Sequence, residues 1–304
     1  MNLLMVDRYS YIDPIIRSTN ENHKSLSVEE SDKAVLHIFR VLSGTCKLVD
    51  DFDDKKYKLD VNYFFMPFSK NEKFNQKTLV DILPDEMDLK QMADVFLRLN
   101  KNKEFYELIR TEVVNCVIAR QKGRYLESFL FLYRILEGIS YSIPLMYTAK
   151  SKSFRKSFKA LQKYMPKNAI DGEIVFFKKF INEVYNQEGF YRSTMDIKLD
   201  DIDIEELRPI YYEIYKNKLK DESIMNDIED EELQVSFIGF FEFMIELRNR
   251  YFHFLQGSWH DNISTTQIIY PDVFFKPIID LGINWVAIVL YEVIKFDIEQ
   301  LDKN

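Results

Sequence analysis

The 304-residue chain is 46% hydrophobic and 30% charged, enough apolar content for a sizeable core and too much charge for a membrane-embedded protein. Only 8 Gly and 8 Pro occur, which disfavours a turn-rich β protein and points to long helices. A net charge of −8 excludes a general nucleic-acid coating protein, although a local basic site can sit on an acidic body.

From the N-terminus, MNLLMVDRYS lacks a basic segment followed by an apolar stretch and a small-residue cleavage site, so no secretory leader is expected. Residues 35–49 and 56–68 bracket the acidic turn DDFDDK. In the second run Tyr57, Leu59, Val61, Tyr63 and Phe65 recur at every second position, the period of a strand. Residues 1–100 are therefore expected to form a small mixed α+β region, whose role the sequence leaves open. Cys46 and Cys116 show neither metal-ligand spacing nor a disulfide framework. A cytoplasmic chain with free thiols, no metal and no other cofactor is expected.

From about residue 86 the period becomes helical. Phe105, Leu108, Ile109, Val113, Cys116 and Val117 form one stripe. A long helix is expected over 124–147, bent or ended before Pro144. Further helices are expected at about 153–165, 172–187, 204–220, 231–256 and 273–300, with Asp201 or Asp203 capping the one from Ile204 and Gly257 closing the one through Gln256. Between them, 186–203 reads as a loop and 217–232 as an acidic connection. The apolar runs at 129–147 and 278–296 carry charges, among them Arg134, Glu137, Asp280 and Glu292. They read as core helices and no membrane contact is expected.

The segment IELRNRYFHFLQG (245–257) carries the chemistry. It sets Arg248, Asn249, Arg250 and His253 on an otherwise aromatic helix, where buried polar groups are costly unless paired or used. Asn249 and His253, four apart, share a face, and Arg250 lies close to His253. Arg248, five residues from His253, sits about 140° round an ideal helix, so one helix does not readily aim both at one atom. A second copy facing it across a symmetric homodimer would. The plainer reading is that arginines and a histidine near a helix C-terminus cap its carbonyls.

Arg248-Asn249-x-x-x-His253 resembles the R-x(4–6)-H signature of the HEPN superfamily, including the polar residue directly after the arginine. FLFLYRILEGIS (129–140) is similar to the aromatic helix that precedes that signature in such domains, with Arg134 and Glu137 near its middle. The resemblance covers roughly residues 100–300. It implies a mainly α fold: a helical HEPN-like bundle over 101–304, with an insertion around 150–230, behind the small α+β N-terminal region. It implies a dimeric, metal-independent endoribonuclease of the kind found in toxin–antitoxin, CRISPR and anti-phage systems, with Arg248, Asn249 and His253 catalytic. Arg134, Glu137 and Arg250 are then supporting residues, and an antitoxin or activating protein is a further expected partner.

The chemistry fits RNA, which carries its own nucleophile in the 2′-hydroxyl. Histidine suits the proton transfers because its pKa lies near neutrality, and the arginine fork suits the phosphate. By the resemblance, Asn249 fixes the His253 tautomer or holds the phosphate. If the helix ends at Gln256, its dipole would raise the pKa of His253. Lys152, Arg155, Lys156, Lys159 and Lys163 form a basic run that suits an RNA backbone, or else a solvated face with Phe154, Phe158 and Leu161 behind it. Glu137 and Arg134 could equally pair with each other. The alternative to an enzyme is a non-catalytic helical module or sensor that binds RNA or protein and keeps a structural Arg/His cluster.

Overall fold

The alternation at 57–65 becomes a ladder in the computed structural model, which describes residues 7–16, 21–65, 68–71, 74–80, 88–150, 155, 158–159, 161–162, 177, 181, 194–252, 262–264 and 266–301. The described chain is mainly helical, with two three-stranded antiparallel sheets and one two-stranded pair. It divides into two compact units, Met1–Val114 with Ala287–Asn304, and Asn115–Val286. The sequence boundary at 100 falls inside the first of these.

In the first unit β1 (Tyr9–Ile12), β2 (Cys46–Asp50) and β3 (Lys55–Leu59) pair in that order. Cys46 faces Leu59 and Leu48 faces Tyr57, all four buried, while Lys47, Lys56 and Lys58 take the opposite face. Helix α1 (Ala34–Leu42) has every residue buried, including Arg40. It closes in a Schellman motif: Gly44 N–H bonds Val41 O and Thr45 N–H bonds Arg40 O. Gly44 has φ +64, and a Cβ there would lie 2.3 Å from the Val61 carbonyl oxygen, so only glycine fits.

Short strands β4 (Val61–Asn62) and β5 (Ser69–Lys70) and helices α2 (Gln76–Val80) and α3 (Leu89–Arg98) follow. Asp88 and Gln91 form a capping box at the start of α3. Helix α4 (Lys103–Gln121) carries the expected stripe, except that Leu108 is exposed. Within this unit Tyr106 of α4 donates to Asp297 at 2.7 Å.

In the second unit the helix expected over 124–147 ends before Pro144. Two helices stand there, α5 (Tyr125–Ile139) and α6 (Ser142–Lys150). The break precedes Pro144, which then lies in the first turn of α6, where a missing N–H costs nothing. The expected loop over 186–203 contains β6 (Thr194–Lys198), whose Met195 and Ile197 are buried. The helix expected from Ile204 begins as a 3-10 turn, and α7 (Arg208–Lys218) starts four residues later, with Pro209 in its first turn. Neither aspartate is its cap; Asp203 instead pairs with Lys276 at 2.8 Å.

The acidic connection is a hairpin. β7 (Ile224–Ile228) and β8 (Glu232–Ser236) join through a turn with Asp230 at φ +61, and the sheet order is β6-β8-β7. The helix expected over 231–256 therefore starts only at Phe237, because Leu233 and Val235 alternate as a strand and pair with Ile197 and Met195. Helices α8 (Phe237–Phe252) and α9 (Pro271–Leu301) complete the chain.

Aromatic rings fill this unit's core. Trp285 stacks on Phe241 at 4.7 Å and Phe237 at 5.2 Å, and its indole N–H donates to the Phe237 carbonyl. Gly282 lets Leu132 of α5 and Met244 of α8 close on α9. By length and composition 125–146 and Pro271–Leu301 could each cross a membrane; 47% and 78% of their most apolar windows are buried in the structure.

Candidate functional site

Helix α8 is amphipathic in a way that prepares a site at its C-terminal end. Phe237, Phe240, Phe241, Phe243, Met244 and Leu247 are buried, and from Arg248 onward the side chains are only half-buried. Burial of the first three turns thus fixes the last one, with Phe252 near Phe129 of α5 and Tyr251 against Phe275 of α9. The backbone of the last turn is tied down as well, since Ile263 N–H donates to the Arg250 carbonyl at 3.0 Å.

Arg248 points toward α5. Its guanidinium carbon lies 4.6 Å above the Tyr133 ring, and its Nη2 is 3.8 Å from Oε1 of Glu137. Its Nη1 donates to Oδ1 of Asn249 at 3.1 Å. A ring face below and a carboxylate at the edge hold a planar cation and, among the described residues, leave some of its donors unmatched. Tyr133 is pushed up to about 12, first by burial; the Arg248 charge opposes that rise and Glu137 adds to it. The phenol is therefore neutral at physiological pH and contributes its ring, not a charge.

Of the residues singled out in the sequence, Arg248, Asn249 and Glu137 come together. Arg250 turns back along α8 to Glu246, with Nε 2.6 Å from Oε1. Arg134 is exposed on α5, one turn before Glu137. His253 and Gly257 lie outside the described residues. In the basic run, Arg155 and Lys159 are exposed at helical positions, while Lys152, Lys156 and Lys163 also lie outside. Phe158, expected behind that face, is 64% exposed.

The sequence reading passed over Tyr133. A signal was present: Tyr133 and Glu137 are four residues apart and share a face of α5, the spacing needed to receive one side chain from a neighbouring helix.

Searches of protein-family models, of curated proteins and of solved structures find no match to this chain.

Proposed function

We propose that the chain is a metal-independent endoribonuclease of HEPN type, acting in the cytoplasm as a toxin-like defence effector. The observation that carries this reading is the setting of Arg248: half-buried, beside Asn249, resting on Tyr133 and facing Glu137 loosely at 3.8 Å. An arginine so placed is oriented and, among the described residues, has donors left for a phosphodiester.

In the proposed reaction His253 takes part in proton transfer while Arg248 and Asn249 hold the scissile phosphate. The RNA 2′-oxygen attacks phosphorus and loses its proton, the bond to the 5′-oxygen breaks, and that oxygen is protonated. The products are a 2′,3′-cyclic phosphate and a 5′-hydroxyl. Symmetric pairing through α8 would bring the arginine of one protomer to the histidine of the other. The exposed Arg155 and Lys159 fit a track for the RNA backbone.

The test is cleavage of total RNA and tRNA in EDTA by wild type, His253→Ala and Arg248→Ala, with and without lysate of phage-infected cells to supply an activating protein. Wild type should leave cyclic phosphates, and each variant should lose about a thousandfold in rate. Equal cleavage by wild type and His253→Ala, or none by wild type under either condition, sinks the proposal.

A further inference from the structure

Aromatic side chains of the second unit such as Tyr211, Tyr212 and Tyr215 of α7 and Trp285 of α9 are buried. Tyr141, between α5 and α6, is instead 43% exposed. From Ser128 to Leu145 the exposed positions among the described residues are Leu130, Arg134, Glu137, Tyr141 and Leu145. Their spacing of three or four places them on one face. The face runs on past the end of α5, because Ser140 keeps helical backbone angles, φ −59 and ψ −30. Tyr141 thus stands one turn, about 5.4 Å, beyond Glu137.

That position adjoins the Arg248 site. Arg248 lies over the preceding turn of α5, with its guanidinium on Tyr133 and its Nη2 3.8 Å from Glu137. Burial of Ile135, Leu136 and Ile139 fixes the direction in which the exposed face looks. A phosphate held by Arg248 would bring its own nucleotide or the next one over Tyr141. Glu137 sorts the two parts of that nucleotide. Its carboxylate repels a second phosphate, while an uncharged base passes beside it without a Coulombic penalty. An exposed tyrosine supplies a flat ring, and every base has a face to stack on it.

We infer, on the nuclease reading of Arg248, that Tyr141 is a base-stacking residue: its ring packs on an unpaired base of single-stranded RNA, next to the phosphate that Arg248 holds. Stacking carries no hydrogen-bond readout, so the contact selects single-stranded over paired RNA rather than one base over another. A duplex keeps its bases stacked on each other and offers the ring none.

Anisotropy titration of the full chain at low salt tests this, with a randomised single strand of about 12 nucleotides as the probe. Methylation of every 2′-oxygen removes the nucleophile, so binding is read without cutting. Wild type should bind this RNA. Tyr141→Ala should bind it at least about fivefold more weakly, whereas Tyr141→Trp should not weaken it. Tyr141 is exposed, so both variants should keep the wild-type melting temperature. The loss should vanish on an abasic strand of the same length and on a duplex. Equal binding of the single strand by wild type and Tyr141→Ala, or an equal loss on the abasic strand, overturns the stacking role and leaves the nuclease reading standing. Absence of binding by wild type overturns the stacking role too, and cleavage in EDTA then decides the nuclease reading separately.

Discussion

Arg40 in the first unit and Arg248 in the second are held in opposite ways. The Arg40 side chain is fully buried, as is that of its partner Asp13. All five of its N–H groups are used: two on Asp13, two on the Leu26 and Thr45 carbonyls and one on the Thr45 hydroxyl. Asp13 in turn accepts from the backbone of Ile15, Ile16 and Val28. Among the described residues the Arg248 side chain, 26% exposed, makes one hydrogen bond, to its chain neighbour, and meets a carboxylate only at 3.8 Å. A buried charge is tolerable when every lone pair and proton is matched, and such a group is spent on structure. One oriented by a ring face and left half-satisfied is available to something outside the chain.

The largest expected effect tests the structural half of that contrast. Arg40→Ala should destabilise the protein by about 3–5 kcal/mol in urea unfolding, because Asp13 would be left buried and uncompensated. A loss below about 1 kcal/mol would mean the network does not hold the unit together.

His37, on the same buried helix, comes next. Burial pushes it down from 6.5 to about 4, with the Arg110 charge adding to the effect; Tyr11 stacks on it, Val28 bonds it, and Asp7 opposes the shift. The folded chain keeps the ring neutral while the unfolded chain takes up a proton. This contribution is complete above pH 6.5 and fades as pH falls toward 4, by about 3 kcal/mol. The His37→Gln variant should lose less stability than wild type over that window; an identical pH slope would show that His37 is not the group responsible.

Arg248→Ala sharpens the other half. It should cost no more than about 1 kcal/mol of stability, since a loose ion pair, a part-buried hydrogen bond to a chain neighbour and the stacking on Tyr133 are lost. A large drop in melting temperature would assign Arg248 to structure and favour the non-catalytic alternative. Smallest of all, a double-mutant cycle between Tyr133→Leu and Arg248→Ala should give a coupling of about 0.5–1 kcal/mol, the cation–π share alone, and zero coupling would remove Tyr133 from the site.

Much of the helical framework was legible because its signals are local. Pro144 and the stripe of α4 announced themselves through backbone chemistry and period. The strands of the second unit were not, since β6, β7 and β8 are short, polar and interrupted by acids; Met195, Ile197, Leu233 and Val235 become a sheet only when brought side by side. The candidate site divides the same way. Arg248 and Asn249 could be named from their order in the chain, whereas Tyr133 gains meaning only once α5 lies against α8.

Composition, period and residue order thus determined that the chain is mainly helical, that its first hundred residues mix strand and helix, and which polar residues interrupt an aromatic helix. Only the tertiary structure decided that every donor of Arg40 is matched internally while Arg248 keeps donors unmatched among the described residues, and that Tyr133 lies beneath Arg248. Propensity and periodicity act over a few residues, but the cost or use of a charge depends on which donors, acceptors and water surround it after folding.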